Sequence, residues 1–347
     1  MNDFWKNKNV LMTGHTGFVG TWLCMVLEYF GAKVVGLSLW EEEGSLYACV
    51  KNQLSVQNIY QDIRDADCVK ESIRRVKPDI IFHLAAFGFV QECLENPTRA
   101  YSTNVMGSLN LFEAIRDISG IKAVVVASSD KVYQNLDKNI CYFKESDILG
   151  GSDPYSCSKT EEDLLAQSYY STYLSENSVG MAILRPSNIL GGGDHNFTRL
   201  IPYLLDCIER KVSPVIRNPQ AVRPWQHILD MADAYLCAAE YASAMNRLDI
   251  FNVGPKKESI VSVGEIADIL LVLSGQESKY SKLVKEQSHT IEHKFLGLSI
   301  DKICDVMHWS PRKTITDTLK DVYRFKKEEQ KIGSYNACMN QVYEYWG

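Results

Sequence analysis

The stretch NVLMTGHTGFVGTWLCMVLEYFGAKVVGLSLW, residues 9–40, constrains the fold more than any other part of the chain. It begins with a short apolar strand, turns through glycines at 14, 17 and 20, and continues as a helical pattern that Gly31 ends. A second apolar strand, from Val34 to Leu39, follows. Glycines between a strand and a helix let the backbone approach a pyrophosphate at the helix N-terminus. The unit predicts a dinucleotide site; the alternative is a tight turn without a ligand.

Strands and helices continue to alternate beyond this unit. Apolar strands are expected over Ile80–Ala86, Ala123–Ala127 and Asp249–Pro255, and a helix is expected to start at Asn104. Alternation of this kind predicts a parallel sheet with helices on both faces. The sequence therefore predicts an α/β fold, a Rossmann-type doubly wound parallel sheet with a smaller C-terminal substrate-binding lobe.

Domain boundaries are harder to place, because no clean linker interrupts the chain. The dinucleotide-binding domain is expected to comprise residues 1–177 and about 236–254. The lobe is expected to comprise about 178–235 and 255–330, with a helix entered through Ser262 and Glu265 at capping-box spacing. The aromatic tail, 331–347, could pack on the lobe, mediate assembly or be loose.

Composition narrows the class of partner. The net charge of -6 disfavours a nucleic-acid backbone, and no apolar run approaches the roughly 18 residues that a membrane helix needs. We expect neither nucleic acid nor membrane as a partner. The N-terminus shows no signal-peptide pattern, and the ten cysteines lack metal-ligand spacing. The chain is therefore expected in the cytoplasm, with reduced thiols and no bound metal.

The spacing GxxGxxG, rather than GxGxxG, resembles the extended short-chain dehydrogenase/reductase superfamily. The segments DIRD at 62–65, IIFHLAA at 80–86 and TNVMGSLNLFEAIR at 103–116 follow in the order that this superfamily shows. The resemblance implies a nicotinamide dinucleotide, with adenine near DIRD and the pyrophosphate and nicotinamide ribose near HLAA. The cofactor contacts that it implies are Gly14, Thr16, Gly17, Phe18, Gly20, Ser38, Asp62, Ile63, Leu84, Ala85, Ala86, Asn104, Tyr155 and Lys159.

The end of the second strand bears on the choice between NAD and NADP. An acidic residue usually holds the ribose 2'-hydroxyl at this place, and here Ser38 stands there, followed by Trp40. No arginine or lysine is near in sequence to meet a 2'-phosphate, and the glutamates at 41–43 would repel one. We expect NAD, with NADP as the alternative; the glutamate run could also be a solvated loop.

Two segments predict the chemistry. SSDKVYQN, residues 128–135, follows a buried strand, and DPYSCSK places Tyr155 and Lys159 on one face of a helix. A tyrosine with an unperturbed pKa of ~10 is a poor base. A nearby lysine ammonium is expected to lower the pKa of Tyr155, and Lys159 could also hold the ribose. Ser129 would then hydrogen-bond the substrate hydroxyl that Tyr155 deprotonates while hydride passes to NAD.

The next two residues, Asp130 and Lys131, distinguish between reactions of the superfamily. They resemble the Asp-Lys pair of CDP-glucose 4,6-dehydratases, which oxidise C4 of a sugar, eliminate water across C5 and C6, and return hydride to C6. The resemblance implies that Asp130 is the general acid and that Lys131 removes the C5 proton or stabilises the enolate. The alternatives are a 4-epimerase or decarboxylase, and a cofactor-binding scaffold without turnover. A solvated strand end is the plainest interpretation of the pair.

Further stretches resemble the same dehydratases over about residues 4–325, including NILGGGDHNFTRLIP and IRNPQAVRPWQHIL. They imply a nucleotide-sugar substrate, with a CDP-hexose favoured, and arginines that meet its diphosphate. Structural alternatives are a core position for Trp225 and an internal hydrogen bond for His227. We also expect a homodimer or homotetramer. The substrate contacts implied by the resemblance are Asn188, Arg199, Arg217, Arg223 and His227.

Some positions depart from the dehydratase pattern. Phe87 replaces a glutamine, Gln91 an arginine and Cys93 a serine, and Val19 stands in the glycine turn where lysine is common. A pocket that gains an aromatic ring and loses a cation could accept a different sugar or nucleotide, or could have lost dehydratase activity.

Overall fold

The strands and helices of the molecule follow the alternation expected from the sequence. A computed structural model describes residues 2–136, 142–216, 218–276 and 293–347. The strands in these ranges are β1 Asn9–Thr13, β2 Lys33–Ser38, β3 Gln57–Tyr60, β4 Ile80–His83, β5 Ala123–Ala127, β6 Tyr142–Phe143, β7 Gly180–Pro186, β8 Asn188–Leu190, β9 Val222–His227, β10 Leu248–Val253, β11 Ile260–Ser262 and β12 Gly297–Leu298. The helices are α1 Asn2–Trp5, α2 Phe18–Tyr29, α3 Leu46–Val50, α4 Ala66–Val76, α5 Val90–Glu95, α6 Pro97–Tyr101, α7 Gly107–Arg116, α8 Pro154–Tyr169, α9 Leu200–Glu209, α10 Ile228–Met245, α11 Val263–Leu273, α12 Asp301–Met307, α13 Ile315–Ile332 and α14 Ser334–Trp346.

Two local differences from the expected elements lie beside the site. β4 ends at His83 rather than Ala86, so residues 84–86 form the loop after the strand. The helix expected at Asn104 begins at Gly107, because Asn104 lies in a π-helical turn, Ser102–Met106, between α6 and α7. None of the helices in the described ranges has both the length and the apolar character that crossing a bilayer requires.

The central sheet has seven parallel strands in the order β10-β7-β5-β4-β1-β2-β3. The strand order reverses direction between β1 and β4. In such sheets the carboxyl ends of the two strands at the reversal open a crevice in which ligands bind. The glycine turn after β1 and the loop after β4 form the walls of that crevice.

Both faces of the sheet are covered, as the alternation of side chains along β5 shows. Val125 joins one hydrophobic cluster, with Trp22 of α2 and Tyr235 of α10, whereas Val124 and Val126 join another. The second cluster includes apolar residues of α4, α7 and α8. Because successive side chains of a strand point to opposite faces, a fully apolar strand such as β5 fits a sheet with helices on both sides.

A second group of elements forms the smaller lobe. Strands β11, β9 and β8 pair in a short sheet, and Trp225 and Ile266 pack there with residues of α9, α11 and α13. Ser262 and Glu265 form the predicted capping box at the start of α11. The division into two domains stays a prediction. The structure does place β7 in the central sheet and packs α10 against it, although β7 and the first part of α10, residues 228–235, fall within the range expected for the lobe.

The aromatic tail forms helix α14 and packs against the dinucleotide-binding side of the molecule. Val342 and Tyr345 are buried in the same cluster as Trp22, and the Tyr345 hydroxyl donates to Asp230 Oδ1 of α10 over 2.6 Å. Of the possibilities open from sequence, packing is therefore observed, against α2, α3 and α13.

Candidate active site

The glycine turn after β1 is built for close approach. Gly14 has a φ of +76°, and a Cβ there would lie 2.7 Å from the backbone nitrogen of Ala85. Gly17 occupies the N-cap of α2 and has no side chain to cap the first turn. The amides at the start of α2 thus face the crevice, where the helix dipole favours an anion. This cradle fits the pyrophosphate of a dinucleotide.

The loop after β4 is held against the turn by side chains of neighbouring elements. Thr13 Oγ1 accepts hydrogen bonds from the backbone nitrogens of Leu84 and Ala85, each over 3.2 Å. Asn104 is buried, and its Oδ1 accepts from the Phe87 nitrogen over 2.7 Å while its Nδ2 donates to the Ser158 hydroxyl over 2.9 Å. The role of Asn104 seen here is to fix the loop to α8.

The opposite end of the crevice lies at the ends of β2 and β3. Ser38 and Thr16 are joined through their hydroxyls over 2.8 Å, and the Trp40 ring stacks on Tyr60 with centroids 3.6 Å apart. Lys51, the C-cap residue of α3, pairs with Glu41. The fold thus brings a lysine to this region from ten residues beyond Glu41 in sequence, and the Glu41 carboxylate binds its ammonium.

The residues expected to contact adenine face in different directions. Asp62 accepts two hydrogen bonds from the Arg64 guanidinium, and this pairing holds the pKa of Asp62 below its usual range. The Ile63 side chain is buried in the second cluster, against Gly107. A contact from Asp62 or Ile63 to a cofactor stays a prediction.

Tyr155 is positioned by the cap of α8. Asp153 Oδ1 accepts hydrogen bonds from the Tyr155 and Ser156 nitrogens over 2.9 and 3.1 Å, and Pro154 occupies the first turn. Pro fits this place because its fixed φ suits a helix start and the missing N–H is not needed there. The sequence SDPY therefore fixes the residue at which α8 begins, and Tyr155 lies in the first turn of this helix.

Ser129 and Asp130 follow directly from the end of β5. Ser128 continues the pairing with β7 through its nitrogen and donates its hydroxyl to Asp163 Oδ2 over 2.6 Å. Ser129 Oγ accepts from the Lys131 nitrogen over 3.2 Å and caps a short 3-10 turn, Asp130–Val132. Ser129 and Asp130 are both buried, so the segment is not a solvated loop.

The carboxylate of Asp130 lies in a setting suited to a general acid. Burial raises the pKa of Asp130, while the positive charges of Lys131 and Arg223 and a hydrogen bond from Ser129 lower it. The Ser129 hydroxyl lies 3.3 Å from Asp130 Oδ1. Within the described residues, no hydrogen-bond donor reaches Asp130 Oδ2, which is buried.

Tyr155 shares this hydrogen-bonded group. A hydrogen bond with Ser129 lowers the pKa of Tyr155, but burial outweighs it, and the charges of Asp130 and Glu162 raise the pKa further. The prediction of a lowered pKa for Tyr155 is therefore wrong. The main cause is burial of the Tyr155 hydroxyl. Lys159 Nζ donates to the Ala127 carbonyl over 2.6 Å and pairs with the Glu162 carboxylate.

Glu162 is a residue of the site that the sequence did not reveal. In the run TEED it reads as part of a charged, solvated helix face, yet it is fully buried beside Lys159. A signal was available only in the helical spacing, since i and i+3 residues share a face and Lys159 faces the site.

The sequence from residue 10 to residue 254 matches the model of the NAD dependent epimerase/dehydratase family. The chain belongs to this family. It is 35% identical over 333 residues to the CDP-glucose 4,6-dehydratase of Salmonella typhimurium, a match that covers 94% of this chain and 92% of the Salmonella protein. The superfamily resemblance and the NAD cofactor predicted from sequence are thereby confirmed.

Solved structures show the same fold at lower identity. The dTDP-glucose 4,6-dehydratase from Bacillus anthracis in complex with NAD superimposes with a TM-score of 0.78 at 22% identity, covering 93% of this chain and 98% of that one. The UDP-glucose 4-epimerase from Thermotoga maritima with UDP-glucose gives a TM-score of 0.79 at 20% identity, covering 93% of this chain and all of the other, 100%. The predicted Rossmann-type fold is confirmed.

Residues expected to contact the family's nucleotide-sugar substrate lie in the smaller lobe and its junction with the sheet. Arg223 acts on Asp130 electrostatically, and Asn188 begins β8 opposite Trp225. The Arg199 guanidinium lies 4.9 Å from the Phe89 ring centroid and pairs with Asp194 over 3.0 Å. Arg217 lies outside the described residues. These substrate contacts stay predictions.

His227 interacts with partners inside the protein. Its Nδ1 accepts from the Leu229 nitrogen over 3.0 Å and caps α10, while its Nε2 lies 3.5 Å from Asp321 Oδ2. Burial lowers the pKa of His227 to about 3, so the ring is neutral. This agrees with the internal hydrogen bond weighed from sequence, and a contact between His227 and substrate stays a prediction.

The departures from the dehydratase pattern are accommodated locally. The Arg99 guanidinium lies 4.5 Å from the Phe87 ring centroid, and Gln91 Nε2 donates to Glu95 over 3.0 Å. Cys93 is buried and donates its thiol to the Phe87 carbonyl over 3.3 Å. Val19 packs against the first cluster. The guanidinium of Arg99, a residue of α6, therefore lies over the face of the Phe87 ring.

Proposed function

We propose that the chain is a nucleotide-sugar 4,6-dehydratase that acts on a CDP-hexose and forms a 4-keto-6-deoxy sugar nucleotide. The observation that carries the proposal is Asp130, a buried carboxyl with a raised pKa that shares the Ser129 hydroxyl with Tyr155. A simple oxidation at C4 needs Tyr155 and Ser129 but no second acid. An elimination needs one, because a hydroxide ion is a poor leaving group.

The oxidation uses Tyr155 as the base. As a phenolate, Tyr155 would accept the proton of the C4 hydroxyl, and Ser129 would orient that hydroxyl through a hydrogen bond. When bound, NAD supplies the hydride chemistry, taking hydride from C4 and giving it to C6. The cradle at Gly14 and Gly17 would hold its pyrophosphate, and Lys159 its nicotinamide ribose.

The elimination uses the pair that follows Ser129. Lys131 Nζ lies 5.8 Å from the Tyr155 ring centroid. We assign it removal of the C5 proton as the neutral amine, or stabilisation of the enolate as the ammonium. Asp130 protonates the C6 oxygen, the C6–O bond breaks, and water leaves. A proton then returns to C5. The proton that Tyr155 accepted passes to Asp130 through Ser129 or solvent, so one water is lost and both the cofactor and the side chains end as they began.

The nucleotide is the finer part of the proposal. The similarity to the Salmonella typhimurium CDP-glucose 4,6-dehydratase supports a CDP-hexose. Arginines at 199, 217 and 223 supply the guanidinium groups that suit a diphosphate. The assignment of a cytoplasmic homodimer or homotetramer is proposed with it, and light scattering of the purified protein measures the assembly.

The direct test is a panel of CDP-, dTDP-, GDP- and UDP-hexoses incubated with the purified protein and catalytic NAD. We expect the alkaline absorbance of a 4-keto-6-deoxy sugar with the CDP-hexose and no net accumulation of reduced nicotinamide. Interconversion of C4 epimers would instead make the chain an epimerase. Bound NAD without turnover of any sugar would make it a scaffold.

Asp130→Asn separates oxidation from elimination. Ser129, Tyr155 and Lys159 remain, so C4 oxidation should proceed, but an amide cannot deliver the proton to C6. Single-turnover absorbance should show reduced nicotinamide that persists, with dehydration slowed by order 10²-fold or more. Near-normal dehydration in both Asp130→Asn and Lys131→Met would contradict the roles of the pair.

A further inference from the structure

Glu162 is a buried carboxylate that the proposed chemistry does not use. It is fully buried on α8, and so is Lys159, one helical turn before it. Burying a charge is costly unless a partner and hydrogen bonds compensate it. Here the Glu162 carboxylate contacts the Lys159 ammonium, so the two buried charges compensate each other.

Glu162 also ends a chain of hydrogen bonds that begins beside the glycine turn. The Ser108 hydroxyl lies 3.2 Å from Glu162 Oε1 and 2.7 Å from His83 Nε2. His83 Nδ1 lies 2.7 Å from Thr13 Oγ1. These four side chains come from β1, β4, α7 and α8, so they connect Lys159 to the strand that precedes Gly14.

The direction of donation in this chain follows from Thr13. Its oxygen accepts from two backbone nitrogens, so its own proton is available to His83 Nδ1. Burial lowers the pKa of His83 to about 3, so the ring is neutral and carries one proton, on Nε2, facing Ser108. The Ser108 hydroxyl has one proton, for which the Asn104 backbone carbonyl at 2.6 Å and Glu162 Oε1 at 3.2 Å compete. Burial raises the pKa of Glu162, whereas the charge of Lys159 and hydrogen bonds from Lys159 and Ser108 lower it.

We propose, on the basis of the function proposed above, that Glu162 is a positioning residue that fixes Lys159 and that its negative charge opposes ionisation of Tyr155. Lys159 is thereby fixed at the Ala127 carbonyl, at the end of the strand that leads into Ser129. The hydrogen-bond chain to Thr13 fixes Glu162 in turn, so the cofactor cradle and the base share one buried network.

Other titratable groups also face this network and enter any pH profile. They are Asp163, which Arg185 binds through two hydrogen bonds, Tyr235 of α10, and Asp130, Lys131 and Cys93 around Tyr155. Like Asp130 and Cys93, Glu162 raises the pKa of Tyr155 through its charge. It differs from them because it contacts Lys159 directly.

Glu162→Gln tests the proposal, since the amide keeps the shape and removes the charge. Without that charge the phenolate of Tyr155 is less disfavoured, so the ionisation of Tyr155 should move down by about one pH unit or more. The measurement is NMR of tyrosine labelled at Cζ, with the Tyr155 signal assigned by its loss in Tyr155→Phe. It uses the folded chain without substrate, so it is independent of which reaction the protein catalyses.

Three further variants and readouts complete the experiment. Glu161→Gln removes the same charge at an exposed position of α8 and should leave the Tyr155 signal unchanged. Glu162→Ala removes the charge and leaves room for water, so it repeats the test if the amide disturbs packing. Once a sugar nucleotide that the protein turns over is known, kcat can be measured against pH. Its rising limb should shift to lower pH in Glu162→Gln but not in Glu161→Gln.

An unchanged Tyr155 ionisation in both Glu162→Gln and Glu162→Ala overturns the proposal. Loss of thermal stability with an unmoved Tyr155 signal likewise assigns Glu162 a purely structural role and overturns it. Absence of dehydratase activity in the wild-type protein, with the shift still present, would contradict the proposed function and leave the positioning role intact.

Discussion

At the scale of residues, Asp130 lies between opposing influences. Burial raises its pKa, whereas Lys131, Arg223 and Ser129 lower it. An acid catalyst must be protonated when it acts, so a raised pKa extends the pH range in which Asp130 can donate. The activity that depends on it is present below that pKa and is lost as the pH rises through it.

Arg223→Gln should therefore shift the falling limb of kcat to higher pH. The positive charge of Arg223 lowers the pKa of Asp130. Without it that pKa should rise, and the carboxyl should stay protonated up to a pH that is higher by up to about one unit. KM should also rise if Arg223 meets the diphosphate. Arg199→Gln is the control, because Arg199 lies against Phe89 and Asp194 and should raise KM without moving the limb. If the falling limb stays in place in Arg223→Gln, the charge of Arg223 does not set the pKa of Asp130 and the prediction is wrong.

At the scale of elements, the start of α8 controls the geometry of the base. Asp153 caps the helix and Gly151 lies so close to Ser156 that a Cβ would come within 2.2 Å of its carbonyl carbon. The turn before α8 and the first turn of the helix are thus fixed together. The position of Tyr155 relative to Ser129 depends on this cap.

Asp153→Ala should lower the free energy of unfolding by about 1 kcal/mol, the usual cost of losing an N-cap side chain. Turnover should fall more than this stability loss alone would cause, since the first turn carries Tyr155. Urea denaturation and steady-state kinetics measure the two effects. Ser152→Ala changes the exposed neighbour and should leave both unaltered. An equal stability in both variants would argue that the cap contributes nothing.

Local patterns predicted the elements whose deciding residues are close in sequence. β5 has the predicted bounds, Ala123–Ala127, and Ser262 forms the predicted capping box with Glu265. The surroundings of Glu162 and His227 could not be predicted in this way. The groups around Glu162 come from four different elements, and His227 meets Asp321 from α13. Such contacts arise only after the chain has folded, so no short stretch of sequence encodes them.

At the scale of the whole molecule, α14 joins the two parts. It packs on α13, whose Leu319 lies in the cluster of the smaller lobe, and on α2 beneath the glycine turn. Its Tyr345 donates to Asp230, a buried carboxyl that also accepts hydrogen bonds from the backbone nitrogens of 312 and 313. Removing one donor leaves a buried acceptor with fewer partners.

Tyr345→Phe should reduce the free energy of unfolding by about 1–3 kcal/mol, because the ring still packs but Asp230 loses a hydrogen bond. Burial raises the pKa of Asp230, and the lost hydrogen bond raises it further, so the deficit should shrink at low pH, where the carboxyl is protonated. Tyr343→Phe on the exposed face of α14 is the matched control. Chemical denaturation at two pH values gives the comparison, and a deficit that does not depend on pH would contradict this role of Asp230.

The hydrophobic cluster that receives Trp5 also receives Tyr345, from the other end of the described chain. On the ribosome, the apolar strands β1 to β5 emerge long before the residues that complete this cluster. Parallel strands need contacts between distant segments, and such contacts form slowly. We therefore expect the nascent chain to expose the apolar side chains of β1 to β5 until α14 has been synthesised and can complete the cluster.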